Sequence, residues 1–406
     1  LRQDWGRALK GSLDLRNMNK KLLLAFAASL YMGAASAQEK LEIKVTGRAL
    51  FDAATYTQND QAKTEDGKMN EGIGIRDMRV GLKATYGKWY FRGDVSYSNN
   101  KVSLKDVYLQ YSFNENNFLR AGHYTAPFGL SSAYSSAKKE YLDEPEGNIY
   151  QPGRRIGVMH TIANHNLWLQ YGAFADNSAL TTSTDKSGPQ GYTVSGRFVY
   201  RPIMTDAGGF HVGFSGMHVK AEAVKEGEHA HIKYDKKYLT AVDKRTATAI
   251  DITDARWENK FTAEFQGIWH NYQLSSQYYW SHINRDENKS YNTDGFYVSA
   301  RGIIINPANY KYNYACSGVD NPADKNLELM LGFGYLNLKD AKALADAPIA
   351  GMAKAGRMSD LSAGLSFFWN KYVTLRLNYH YIHSHTCDQP SAKVVNVVQM
   401  RVQYMF

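Results

Sequence analysis

At the end of the chain Val398, Met400, Val402, Tyr404 and Phe406 share one face of an extended segment, and Gln399, Arg401 and Gln403 share the other. A period of two with one apolar and one polar face predicts a strand lying between two different solvents. The alternation recurs along the chain. Trp89, Phe91, Val95 and Tyr97 oppose Arg92 and Asp94, and Leu167, Leu169, Tyr171 and Ala173 alternate with Trp168, Gln170 and Gly172. Trp257, Phe261, Ala263, Phe265 and Trp269 alternate with Glu258, Lys260, Glu264 and Gln266. Leu327, Leu329, Leu331, Phe333 and Tyr335 share a face, as do Val373, Leu375, Leu377, Tyr379 and Tyr381. These apolar faces begin and end in aromatics, as surfaces facing lipid do.

About 16 such segments can be counted, beginning near residues 41, 72, 89, 103, 117, 154, 166, 191, 209, 256, 271, 294, 325, 358, 372 and 392. An even number brings both chain ends to one side, the periplasmic one, with tight turns such as Asn114–Asn117, Asn164–His165 and Asn370–Lys371. The longer connections 53–71, 124–153, 221–255 and 340–357 then lie on the outer side. Short turns opposite long loops predict an all-β fold, a transmembrane antiparallel β-barrel. The connection 306–324 is longer than a usual turn on its side. No second domain, internal repeat or plug is visible.

An amphipathic strand in a soluble sandwich has the same period, and the N-terminus separates the two. Met18-Asn19-Lys20-Lys21 precedes the apolar run Leu22–Met32 and the small residues Gly33 to Ala37. This is the order of a secretory signal, with cleavage expected after Ala37 to leave Gln38 as the mature N-terminus. The apolar run falls short of the roughly 20 residues that a membrane helix needs. The organisation expected is therefore 1–17 as an upstream extension that is not native, 18–37 as signal peptide and 38–406 as the barrel. The final segment resembles the closing strand of bacterial outer-membrane barrels. That resemblance makes Phe406 an insertion signal read by the barrel-assembly machinery, and makes outer-membrane lipid the surrounding medium.

Composition agrees. Removing 37 of the 406 residues leaves 369, and the mean hydropathy of −0.48 suits strands of which half faces water. Aromatics make up 13% of the chain, with 29 Tyr, as interfacial girdles require, and the 9 Pro leave room for many paired strands. Residues 1–37 carry six basic and two acidic side chains, so the formal +9 becomes about +5 for the mature chain. That bias is too mild to imply nucleic acid as a partner.

A barrel of this size encloses water, so inward residues decide function. On these registers Arg79, Arg92, Arg120, Arg197, Arg201, Lys260, Arg301, Arg376 and Arg401 point inward, with Asp94, Asp106, Glu258, Glu264 and Glu328. Charged residues face the lumen of any barrel. Guanidinium groups also grip phosphate or carboxylate bidentately, so the set is compatible with a field favouring small anionic solutes.

The 30-residue connection 124–153, third on the outer side, is long enough to need a purpose. Leu119-Arg-Ala-Gly-His-Tyr-Thr-Ala-Pro-Phe-Gly-Leu130 and Gln151-Pro-Gly-Arg-Arg-Ile-Gly-Val158 resemble the strand-to-loop motif and return strand of the phosphate-selective porin O and P family. Asp77–Lys83 with Gly87–Asp94, then Leu104–Tyr111, Phe296–Gly302 and Asn326–Leu329, are similar to further family segments in the same order. The resemblance implies a homotrimer of 16-stranded barrels in the cell outer membrane, each with its third extracellular loop folded inward to narrow its pore. It also implies passive passage of anions, phosphate in the best-known members. Arg120, Lys138, Lys139, Arg154 and Arg155 carry over as candidate constriction residues, and Arg79 and Arg92 as inward arginines on matching strands. Glu140, Asp143, Glu144 and Glu146 in the same loop oppose them.

An enzyme is the weaker reading: no Gly-x-Ser-x-Gly elbow is present, and no cofactor is expected. His229 with His231, and His380 with His383 and His385, are more simply solvated than metal ligands, which need fixed geometry. Cys316 and Cys387 fall on opposite sides and are expected to be free thiols. A structural or adhesive barrel would explain the strands but not an inward loop. A diffusion porin explains both.

Overall fold

The computed structural model describes residues 39–98, 100–135, 137–143, 145–175, 191–221, 230–286, 288–346, 354–387 and 391–406. The expectations for the upstream extension, the signal peptide, Gln38, Glu144 and His229 lie outside those residues.

The chain winds up and down through β1 (Glu42–Gln58), β2 (Gly72–Tyr86), β3 (Trp89–Ser98), β4 (Lys101–Asn114), β5 (Asn117–Thr125), β6 (Arg154–Ala163) and β7 (Leu167–Ala175). There follow β8 (Tyr192–Thr205), β9 (Gly208–Lys220), β10 (Ala230–Lys237), β11 (Thr246–Trp269), β12 (Tyr272–Arg285) and β13 (Tyr291–Ile305). The last are β14 (Tyr312–Asn313), β15 (Gly318–Val319), β16 (Asn326–Asn337), β17 (Gly356–Phe368), β18 (Val373–Thr386) and β19 (Lys393–Met405). Short helices α1 (Asp60–Asp66), α2 (Gly129–Ala133) and α3 (Ala341–Asp346) lie in the connections. All strands but β10, β14 and β15 form one antiparallel ring of 16, closed where β1 pairs with both β19 and β2. The protein is a closed antiparallel β-barrel.

The alternation explains the ring. Val398, Met400, Val402, Tyr404 and Phe406 are exposed on the outer wall, and Gln399, Arg401 and Gln403 are buried inside. At the seam Asp52 and Arg401 sit directly opposite, joined by two bonds of 2.6 Å, a bidentate ion pair shielded from water. The terminal residue completes the ladder: Phe406 N–H donates to Gly47 O at 3.0 Å, and Gly47 N–H to Phe406 O at 2.9 Å. Any side chain at Gly47 would overlap the Phe406 ring.

Two places depart from the sequence reading. β11 starts ten residues before the expected 256, because its first part runs past the ring and pairs with β10 as an outer hairpin. The overlong connection between β13 and β16 carries its own two-stranded piece, β14 with β15. Buried apolar residues gather inside the outer end of the barrel. There Ile283, Ile382 and Val395 of the wall and Ile250 of the outer hairpin meet Ala62, Met69, Tyr238 and Leu239 of the loops.

Candidate functional site in the barrel lumen

The connection between β5 and β6 is held by lumen-facing side chains of distant strands. α2 begins at Gly129 with φ +74, and a Cβ there would strike the Gln277 side chain, so only glycine allows this approach. Gly129 N–H donates to Ser215 Oγ at 2.9 Å and Ser131 N–H to Gln277 Oε1 at 3.3 Å, tying α2 to β9 and β12. Further along, Glu140 is enclosed. Its Oε1 accepts from Gln273 Nε2 (2.9 Å) and Ser275 Oγ (2.7 Å), its Oε2 accepts from Ser299 Oγ, and Arg301 Nε lies 3.6 Å away. Arg376 Nη2 donates to the carbonyls of Lys139 (2.8 Å) and Glu140 (2.5 Å), and Gln403 Nε2 to that of Ala137 (3.1 Å). Asp143 pairs with Arg76 at 3.0 Å. Glu140 and Asp143 are therefore each held by the wall, with an arginine beside each carboxylate.

On the other side of the loop lies a cavity of about 440 Å³ against β2 to β8. Among the described residues, Arg79, Arg92, Arg120, Lys139, Arg154 and Arg197 line it with a single carboxylate, Asp106. The bulge that puts Asp106 there is local: Lys105 and Asp106 of β4 together oppose Asp94 of β3. Asp106 then receives Arg154 Nε at 2.7 Å and lies 3.6 Å from Arg92 Nη2. Arg92 also binds Asp94 at 2.7 Å, and Arg79 reaches Asp77 at 3.1 Å and Asp94 at 3.9 Å. Arg197 is buried against Glu264 at 2.6 Å.

Arg120 stands differently. Its Nε and Nη2 both donate to Gln110 Oε1, at 3.3 and 2.9 Å, and its guanidinium lies 4.1 Å over the Tyr108 ring. Lys138 pairs with Asp320 at 3.8 Å, both half-exposed. Arg155 is buried opposite Tyr124 on β6 and is not among the cavity-lining residues. The seven candidates thus divide: Arg79, Arg92, Arg120, Lys139 and Arg154 share one cavity, while Lys138 and Arg155 stand apart from it.

Sequence reasoning missed the 306–325 connection, whose length was its only signal. Tyr134 Oη accepts from Val319 N–H at 2.5 Å, and Arg197 Nη1 donates to the Cys316 carbonyl at 3.0 Å. Cys316 lines the cavity, and burial pushes its thiol up to about 11. Cys387 lies at the opposite end, and neither cysteine is in a disulfide. The histidines also separate. His380 faces inward beside Asp360 (3.2 Å) and Ser362 (2.9 Å), and His383 stacks edge-on with His385 at 4.8 Å. His231 is 3.7 Å from Asp251.

The sequence model described as Phosphate-selective porin O and P matches residues 43–406. No curated protein sequence matches the chain. Among solved structures it is similar to outer-membrane expressed OmpT of Vibrio cholerae, with 13% identity, a TM-score of 0.57 and coverage of 92% of this chain and 99% of that one. It is also similar to the trimer form of in-vitro folded OmpT (12% identity, TM-score 0.56, 90% and 99% covered). Salmonella typhi OmpF in complex with daunomycin follows, at 10% identity, TM-score 0.52 and 91% and 99% covered.

Proposed function

The chain belongs to the phosphate-selective porin O and P family, and from that membership and the lumenal cavity we infer an outer-membrane diffusion porin that prefers small anions, phosphate among them. The observation that carries the preference is the cavity lining, which among the described residues sets six cations against Asp106. Asp77, Asp94 and Glu264 partly neutralise the arginines, so the field is weaker than the lining suggests. Walls of low dielectric nevertheless focus what remains and raise the local anion concentration.

In this reading the loop 124–153 narrows the pore from within, and the arginine-bearing wall of β2 to β6 is left as the path. Lys139 contributes from the loop, and Arg79, Arg92, Arg120 and Arg154 from the wall. The protein works as a homotrimer in outer-membrane lipid, in keeping with the trimer form described for OmpT of Vibrio cholerae. Phe406, exposed at the lipid face, serves as the mark that the barrel-assembly machinery reads. Family and fold are those of channels rather than enzymes.

The test is a reversal potential across planar bilayers in a potassium chloride gradient, followed by inorganic phosphate against chloride current. An anion-directed potential and block by phosphate are expected. A cation-directed potential would overturn the reading.

A further inference from the structure

At the outer rim of the wall, on its lipid-facing side, β12, β13 and β16 frame a groove of about 670 Å³. Tyr278 and Trp280 of β12 form its lower part. Lys289, Lys339 and Lys342 stand at its upper edge, in the connections that follow β12 and β16, and all three are exposed. We propose that this groove holds the headgroup of a phosphorylated lipid of the outer leaflet, its phosphate among the three ammonium groups and its acyl chains against the wall below. The site lies outside the lumen and does not depend on what the pore conducts.

The groove is held in shape by its own bonds. Asp340 Oδ2 accepts from the Asn292 backbone N–H at 2.9 Å and from Asn292 Nδ2 at 3.2 Å. Its Oδ1 accepts from the N–H groups of Lys342 (3.1 Å) and Ala343 (3.2 Å). One carboxylate thus pins the start of α3 to β13. Tyr291 Oη donates to the Leu338 carbonyl at 2.7 Å, and Ala343 is buried, so the segment that carries Lys339 and Lys342 is a fixed shelf. On β12, Trp280 stacks on His282 at 5.8 Å, and His282 Nδ1 lies 2.9 Å from Asn292 Oδ1. Floor and shelf therefore meet at Asn292.

Charge and polarity select the occupant. Among the described lining residues three lysines face two carboxylates, Asp294 and Asp340, so the excess is positive. Both acids are engaged, Asp340 by the shelf and Asp294 by Asn337 Nδ2 at 3.1 Å. Arg357 adds a further cation from β17, where its Nε donates to Asn337 Oδ1 at 3.4 Å. Below the lysines Tyr278, Phe296 and Tyr335 lie side by side across β12, β13 and β16. Beneath that row Val298, Leu331 and Phe333 are exposed on the outer wall. A partner that fits must be anionic at the top and apolar below. A free anion would leave the aromatic floor uncovered, and a soluble peptide would have to enter the lipid zone. A phosphorylated lipid meets both demands, with lysines reaching up to its headgroup from an aromatic belt.

The experiment uses the full-length folded barrel in detergent micelles and reads bound lipid by native mass spectrometry, with diphosphoryl lipid A as the probe and inorganic phosphate as competitor. Each variant is first checked for heat-modifiable folded barrel. The wild type should retain the lipid. Lys339→Gln and Lys342→Gln should each raise the dissociation constant about fivefold, and the triple variant with Lys289→Gln about 100-fold, at about 1 kcal/mol per lysine near a lipid phosphate. Lys220→Gln, which removes an exposed cation at the outer end of β9 away from the groove, should leave binding unchanged. A triple variant that binds as tightly as the wild type, or a Lys220→Gln that weakens binding as much, would overturn the site. Displacement of the lipid by millimolar inorganic phosphate would assign the lysines to the free anion and overturn the lipid. Loss of the trimer in the triple variant with lipid binding unchanged would give the groove to a second copy of the chain and overturn it equally.

Discussion

Replacing Glu140 by alanine should loosen the loop 124–153 from the barrel wall. The carboxylate, almost fully shielded, accepts from Gln273, Ser275 and Ser299 and stands 3.6 Å from Arg301. Hydrogen bonds to a charged group contribute about 1.5–3 kcal/mol each. Truncation does not lose all three outright. Gln273 Nε2 and Ser275 Oγ are already 2.5 Å apart and can satisfy each other, and Arg301 keeps Glu328 at 3.3 Å. A net cost of about 2–4 kcal/mol follows, which lies within the usual penalty for breaking one partner of a buried ionic cluster. That raises the population of released loop roughly 30- to 700-fold. The contacts of Arg376 with the Lys139 and Glu140 carbonyls remain, so the loop should open intermittently rather than be lost. Two assays read this: single-channel conductance and its noise, and trypsin cleavage after Lys138 or Lys139 in folded barrel. Glu140→Ala should show higher, noisier conductance and faster cleavage, with Glu140→Gln in between, since it retains a neutral acceptor. Wild-type conductance, noise and trypsin resistance in Glu140→Ala would refute the idea that this carboxylate holds the loop.

Other outcomes are expected. Phe406→Asp, or deletion of Phe406, should sharply reduce folded barrel while periplasmic secretion continues, read by heat-modifiable migration; normal yield would remove the residue's role as a signal. Cys316, with its thiol raised from the usual 9 to about 11, should react with thiol reagents about 100-fold more slowly at pH 8 than an ordinary cysteine. Because the thiolate is the nucleophile, the rate should climb about tenfold per pH unit until near 11, and an early plateau would argue against burial. Lys138→Ala alone should change stability by less than about 1 kcal/mol, since its pair with Asp320 is half-exposed, whereas Lys138→Glu with Lys139→Glu should turn the reversal potential toward cations. N-terminal sequencing of the mature protein should begin at Gln38.

The ring of strands was written in the sequence because lipid and water on the two sides of a wall demand a strict period of two. All sixteen expected segments correspond to ring strands, and Gln399, Arg401 and Gln403 opposite Val398, Met400 and Val402 already told inside from outside. Local pattern also placed Arg79, Arg92, Arg120 and Arg197 inward, and the family resemblance added Arg154. Local pattern could not say which of them meet a carboxylate, because that depends on partners far away along the chain. Arg154 is neutralised by Asp106, 48 positions earlier and on a bulge, and Arg197 by Glu264, 67 positions later. Arg120 has no carboxylate partner among the described residues, because Gln110, rather than an acid, faces it across the β4–β5 pair. The loop acids made the same point in reverse. Counted along the chain, Glu140 and Asp143 oppose anion passage, yet closure of the barrel brings Arg301 and Arg76 to them from the wall. Periodicity is a property of neighbours in sequence, and so it determined the wall. Electrostatics in the lumen is a property of neighbours across the barrel, and only the closed ring decided it.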